Sequence, residues 1–330
     1  MASRSIVAFV MGMALVGLVF SSPAAAQNRN SSEWSPAILA DGQPDIQGMW
    51  SNLDALATPM ELPDGFSGPD FSADDLVAIA AAREAEAARR AAQAREKSDG
   101  EIIGAYGAHW FDSFWNEADE YPAPALIVEP LNGQIPDWTP SAHEVLRYNR
   151  DHLHDSWEYM ESADRCITRG VIGIMMPGVY NNGAQILQPP GYVVILGEMI
   201  HRARIIPIDG RSHIDDSIQQ WEGDPRGHWE GNTLVVESTN FREVQSMRGA
   251  SAGIRSRQSE SQRLVERFTV VGPDTLKYSI HVDDPETYNA PWTASFPLRR
   301  DSDYDIYEYA CHEGNYSVPN ALSGARAKNE

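Results

Sequence analysis

Histidines, carboxylates and arginines recur along this chain in groups that suit proton transfer. His201, Arg204, Asp209 and His213 fall within one short stretch, with Glu198 three positions before His201. A neutral imidazole is the natural general base near pH 7, and a neighbouring carboxylate can hold it in the required tautomer. Near the C-terminus His312 adjoins Glu313, and Glu230, beside a turn, is placed to supply an acid. From Lys277 to Asp283 alternation sends Ser279, His281 and Asp283 to one face and Tyr278, Ile280 and Val282 to the other; Arg267 and Thr269 likewise oppose Glu266 and Phe268. A polar stripe turned into an apolar barrel is costly unless it binds or transforms something. Turned to water, the same stripe is ordinary, and both orientations fit the pattern.

If His201, Arg204, His281, His312 and Glu313 met at one cavity mouth, a histidine would take the proton. Arg204 or Arg267 would then stabilise developing negative charge. Trp110, Trp221, Glu230, Arg267, Trp292 and Tyr309 are the residues expected to line the substrate side. A structural salt-bridge network would draw on the same residue types. Other chemistries find less in the sequence. His201, His213, His281 and His312 are ligand types, but their spacing matches no compact metal motif. Asp151-His-Leu-His-Asp155 is expected at a helix end, where alternate side chains point apart. No G-x-S-x-G and no nucleotide loop occurs. The expectation is chemistry without metal or cofactor.

These residues need a scaffold, and the second half of the chain supplies strand and turn signals. Trp221 to Phe241 reads as a hairpin about Gly231-Asn232, with a further turn at Gly223 to Gly227. Ala184 to Gln188, Tyr192 to Met199, Ala203 to Ile208, Arg263 to Val271, Thr275 to Asp283, Thr293 to Arg299 and Asp305 to Ala310 read as the remaining strands. Roughly eight to ten strands joined by short turns predict a mainly β, antiparallel up-and-down barrel that closes to hide its edges. Before it, Asp41 to Trp50 suggests a loop entering a short strand. Ser72 caps a predicted helix over 73–97, Tyr106 to Tyr121 is an aromatic cluster, and Thr139 caps a helix running to about His152.

Composition sets the setting. Arg4, the apolar run Ile6 to Phe20 and Ala24-Ala25-Ala26 read as a cleaved signal segment over 1–26. The expected division is then an N-terminal extension with helices over 27–165 and a barrel over 166–330. A net charge of −21 repels phosphate backbones and anionic lipid, so a small molecule is the expected partner, with no nucleic acid and no membrane insertion after cleavage. Cys166 and Cys311, the only cysteines, are expected to be bonded in an oxidising compartment, restricting the unfolded chain by about 4 to 5 kcal/mol. The competing reading is Cys311 as a thiolate activated by His312.

The segments GEMIHRARIIPIDGRSH, WEGDPRGHWEGNTLVVESTNF, LVERF and YEYACHEGNY, in this order, resemble a large family of exported bacterial proteins with a lipocalin-like or calycin-like barrel. The resemblance runs from about Gly42 to the C-terminus. The family's usual GDSRG stands here as Gly223-Asp224-Pro225-Arg226-Gly227, and its WEGDT as Trp229 to Thr233 with Asn232 in place of the acid. Both departures sit in turns. The likeness implies the barrel and export, and no particular reaction. Some cofactor-independent enzymes that cleave aryl ethers use small barrel or cone folds, which makes an aryl ether one expected substrate class by analogy. The function expected is an exported lyase, hydrolase or isomerase acting on an apolar, aromatic small molecule. The alternative is a periplasmic binding barrel without catalysis.

Overall fold

The computed structural model describes residues 34–56, 58–96, 123–178, 180–248 and 255–329. The expected signal segment and the cluster Tyr106 to Tyr121, with Trp110, lie outside the described residues. The strands are β1 Gly48–Ser51, β2 Ile127–Glu129, β3 Gly183–Leu187, β4 Tyr192–Gly197, β5 Ala203–Pro207, β6 Asp224–Glu230, β7 Thr233–Thr239, β8 Val244–Arg248, β9 Arg255–Gln258, β10 Arg263–Gly272, β11 Thr275–Asp283 and β12 Trp292–Arg300. The helices are α1 Ala73–Glu96, α2 Pro140–Asp151, α3 Gly170–Met175 and α4 Ser317–Asn329.

Two antiparallel meanders make the wall. One is β3-β4-β5, the other β6-β7-β10-β11-β12, and β1 joins them by pairing with both β3 and β12. The path β5-β4-β3-β1-β12-β11-β10-β7-β6 is a nearly closed antiparallel barrel of nine strands, with β2 added on β12 and β8-β9 standing apart as a ribbon. Its two free edges, β5 and β6, come together without a ladder. Gly227 permits that approach, because a Cβ there would lie 2.8 Å from Ile208 and 3.0 Å from Ile206. The hairpin β6-β7 turns through Gly231 at φ +58°, a left-handed backbone that glycine adopts without steric cost.

Alternation along each strand fills the interior. Leu234, Phe268, Tyr278 and Phe296 stand side by side on β7, β10, β11 and β12 as one inward row. All four are fully buried, and the rings of Phe268 and Phe296 lie 4.9 and 5.1 Å from that of Tyr278. Such pairs add about 0.5 to 1.5 kcal/mol each beyond their buried area. Ile186, Ile195 and Ile206 close the same core from β3, β4 and β5. The lumen is packed with side chains where a ligand-carrying barrel would hold space.

Outside the wall the caps form as their sequences imply. Ser72 Oγ accepts from Asp75 N at 3.1 Å while the Asp75 carboxylate accepts from Ser72 N at 2.9 Å, a reciprocal cap on α1. Thr139 accepts from Ala142 N at 3.2 Å at the start of α2, with Pro140 in the first turn.

Three expectations need correction. The barrel does not begin after residue 165, because β1 comes from the supposed extension and completes the wall. Asp224 to Gly227 is strand rather than turn; the reversal ends at Gly223. Asp305 to Ala310 forms no strand: the stretch is largely solvated, Tyr307 is 75% exposed, and no apolar face is available to lay on the sheet.

Candidate functional site

Of the residues expected to converge at one barrel mouth, Arg204, His281, His312 and Glu313 do not meet. Arg204, on β5, points into the barrel. His281, on β11, points out, its Nδ1 2.9 Å from the Thr293 hydroxyl, which in turn donates to Glu129 at 2.7 Å. The polar stripe of β11 therefore faces away from the core, because Tyr278, Ile280 and Val282 occupy it. His312 and Glu313 are exposed in a turn beyond the last strand, and Tyr309 is half-buried just before them. His201 ends the short 3-10 turn Met199–His201 between β4 and β5, and its side chain lies outside the described residues.

The expected substrate-lining residues scatter as well. Arg267 donates to Glu230 at 2.6 Å on the solvated face of the hairpin, where Arg267, then His228, holds the Glu230 carboxyl below its ordinary value. Trp292 is 1% exposed and packs edge-on to Tyr288 at 6.0 Å, so it belongs to the core. Among the described residues of this group, Trp221 lines a cleft.

Inside the barrel Arg204 forms a two-pronged pair with Glu266 of β10: Nη1 donates to Oε1 at 3.0 Å and Nη2 to Oε2. The Tyr278 hydroxyl also donates to Oε1, at 2.9 Å. Burial works against the Arg204 charge, and the Glu266 carboxylate outweighs it, leaving the guanidinium pKa raised. Burial first, and Glu266 second, push the Tyr278 phenol well above its usual range. Arg204, Glu266 and Tyr278 are at most 3% exposed, with Arg204 at the border of the seam between β5 and β6. This is a structural cluster that pins the free-edge strand β5 onto β10.

The larger cleft lies outside the wall. It encloses about 960 Å³ between α2, the segment from Trp157 to Ile167, Trp221 and the chain from Arg242 to Val244. Helix α2 ends at His152, whose ring stacks on Tyr148, one turn earlier, at 4.1 Å. The His152 Nδ1 is 2.5 Å from the Asp155 carboxylate. Tyr159 meets Tyr148 edge-on at 5.7 Å, and a hydrogen bond with Tyr148 raises the Tyr159 phenol pKa. On the facing side the Arg165 guanidinium lies 5.3 Å from the Trp157 ring and 5.8 Å from the Trp221 ring; Arg242 lies 5.1 Å from Trp221. Burial, then the Arg242 charge, lowers the Arg165 pKa. Its buried Nε has no hydrogen-bond partner.

A second cleft of about 580 Å³ follows the seam between β5 and β6. Its charges are matched within the fold. Glu222 accepts from Arg202 at 3.1 Å and from Thr168 at 2.6 Å, while Asp224 accepts from Arg226 at 2.7 Å, with His213 3.0 Å away. Among the described residues no three His, Cys, Asp or Glu side chains gather as metal ligands would.

The sequence alone does not single out Tyr148, Tyr159, Arg165 or Arg242, and it presents His152 and Asp155 only within a metal-type motif. One local signal was available: His152 and Asp155 are three apart at a helix end, close enough to meet, whereas the His152-x-His154 pair had drawn attention to metal. Comparison with protein-family models, curated proteins and solved structures returned no match.

Proposed function

We propose that the cleft beside α2 is the active site of an enzyme that moves a proton on an aromatic small molecule, with His152 as base and Asp155 holding its imidazole. The observation that carries this reading is an imidazole 2.5 Å from a carboxylate in the wall of a 960 Å³ cleft that is also lined by Tyr148, Trp157, Tyr159 and Trp221. With Nδ1 engaged by Asp155, the deprotonated Nε2 is the basic atom. The aromatic side chains offer faces for a ring to stack upon. Arg165 and Arg242, both beside Trp221 on the facing side, are the groups that could meet a developing oxyanion.

In the same reading the chain is an exported, calycin-like protein whose reaction uses neither metal nor cofactor, of lyase, hydrolase or isomerase type, with aryl ethers among the candidate substrates. The motif resemblance and the nearly closed barrel support membership, and the bond between Cys166 and Cys311 supports an oxidising destination. No helix among the described residues is long and apolar enough to cross a membrane. The net charge of −21 supports a small-molecule partner over nucleic acid.

A second reading, binding without turnover, is favoured by the openness of the dyad: the His152 and Asp155 side chains are 39% and 62% exposed, so water reaches them. Incubating the mature protein with aromatic ether, ester and terpenoid libraries, with and without chelator, and following products by mass spectrometry separates the two. Turnover that His152→Gln removes supports the enzyme. Retention of ligands unchanged supports the binder, and loss of turnover on chelation overturns the metal-free assignment.

A further inference from the structure

In the packed interior and at the seam, Arg204, Arg202 and Arg226 each meet a carboxylate of the fold at hydrogen-bond distance. Arg165 and Arg242 do not. Both guanidiniums lie within 6 Å of the Trp221 ring centre, and neither forms an ion pair among the described residues. Two like charges held beside one indole repel each other, and the partial burial of Arg165 adds a desolvation cost. Such an arrangement is stable with a counter-ion between the charges and less stable without one.

Carboxylates do line the cleft, so the local balance has to be weighed. Glu243 accepts from Arg257 at 2.9 Å, and Asp151 pairs with the neighbouring Arg150 at 3.2 Å. Glu158 accepts from the Ser156 hydroxyl at 3.3 Å. It favours the Arg165 charge, but less than burial and Arg242 oppose it. Glu144 lines the opposite wall, on α2, together with Arg147. None of these carboxylates hydrogen-bonds the Arg165 or Arg242 side chain, and the buried Arg165 Nε remains open.

We propose that the cleft recognises an aromatic carboxylate, its ring laid against Trp221 and its carboxylate held by Arg165 and Arg242. This deepens the acid–base reading of the same cleft by naming the charge its substrate carries. A guanidinium offers paired N–H donors that match a carboxylate, and the resulting hydrogen bonds are charge-assisted. The ring of the ligand would complete a stack that already has arginine against indole. Neutral aromatics would keep the stack and lose the ionic contacts, while aliphatic carboxylates would keep the ions and lose the stack.

The test is a binding measurement that needs no turnover. Benzoate, 4-hydroxybenzoate, benzyl alcohol and acetate are titrated into the full mature protein and followed by intrinsic tryptophan fluorescence and calorimetry, at low and high salt. The expected result is saturable binding of both benzoates, weakened by salt, with benzyl alcohol and acetate each at least about tenfold weaker. Arg165→Gln and Arg242→Gln should each weaken benzoate binding by about tenfold or more, with Arg242→Lys intermediate. Equal affinity for benzyl alcohol, salt-independent binding, no binding of either benzoate, or wild-type affinity in folded Gln variants overturns the proposal. The wild-type comparisons decide it even if a variant fails to fold. Benzoates that bind and come through unaltered, with no library compound turned over, would sink the acid–base reading and leave this one standing; turnover confined to neutral ethers would do the reverse.

Discussion

Arg204 is buried and Arg165 partly buried, and what meets the charge differs between them. Arg204 lies across from Glu266 in the barrel, donates to both carboxylate oxygens, and shares that carboxylate with Tyr278. Arg165 lies against Trp157 and Trp221, with the Arg242 charge acting on it more strongly than Glu158 does and no acid bonded to it. In the barrel the charge of Arg204 is matched by Glu266, although its buried Nε, like that of Arg165, has no hydrogen-bond partner, and removing Glu266 leaves that charge stranded. The cleft site is incomplete in the same sense that Arg204 would be without Glu266. A charge satisfied inside the fold points to architecture, and one left open at a surface cleft points to recognition.

The sharpest way to test that division is to disable each region and ask which property fails. We predict that His152→Gln lowers turnover of a confirmed substrate by about 10² to 10⁴ while the melting midpoint stays nearly unchanged. Full activity in that variant would return the His152 and Asp155 contact to a simple helix-end cap. In the barrel, Glu266→Ala should destabilise the fold by about 3 to 5 kcal/mol in denaturant titration, because Arg204 is left buried and uncompensated. The double replacement Arg204→Met with Glu266→Leu should recover most of that loss. If the double variant is as unstable as the single, packing rather than charge governs the site.

Replacing Cys166 and Cys311 together by serine should cost about 2 to 5 kcal/mol of global stability. It should also weaken any ligand of the cleft, since Arg165 is the neighbouring residue. Ligand affinity unchanged in a folded variant would separate bridge from cleft. The smallest effect is expected at Glu230→Gln on the outer hairpin, a solvated pair in which little stability is at stake. Its sign is fixed: the folded Glu230 carboxyl is depressed by Arg267, so its contribution is present above the unfolded carboxyl value of about 4.3 and is lost as pH falls through the lower folded value. A melting difference that grows below pH 4 would contradict this.

Much of the wall was legible because period-two alternation is local. Leu234 and Val236, Tyr278 and Ile280 declare one apolar face per strand, and Gly231-Asn232 declares the turn between β6 and β7. The pattern gave two faces for β11 without saying which one the barrel would enclose. It also concealed Glu266, which follows Leu264 and precedes Phe268 on the inward face, where a charge is tolerated only because Arg204 arrives from a distant strand. Strand β1, four residues long, was too short to mark it as the link between the meanders. The cleft was illegible for a different reason. Its walls come from α2, the loop around Arg165, Trp221 and Arg242, segments whose contact depends on how the excursions of the chain pack outside the barrel.

The bridge between Cys166 and Cys311 spans 145 positions, and Asn315 reinforces it by donating to the Asp164 carbonyl at 3.2 Å and toward the Cys166 sulfur at 3.0 Å. The C-terminal tail is thereby fastened to the residues on either side of Arg165. Synthesis proceeds from the N-terminus, so this closure must await Cys311, which follows the last wall strand, and then an oxidant. The wall can assemble earlier, since β12 ends at Arg300. The molecule thus has an order of maturation written into it, barrel before bridge, and a batch prepared under reducing conditions would pass a test for folded β structure while still lacking the covalent latch beside Arg165.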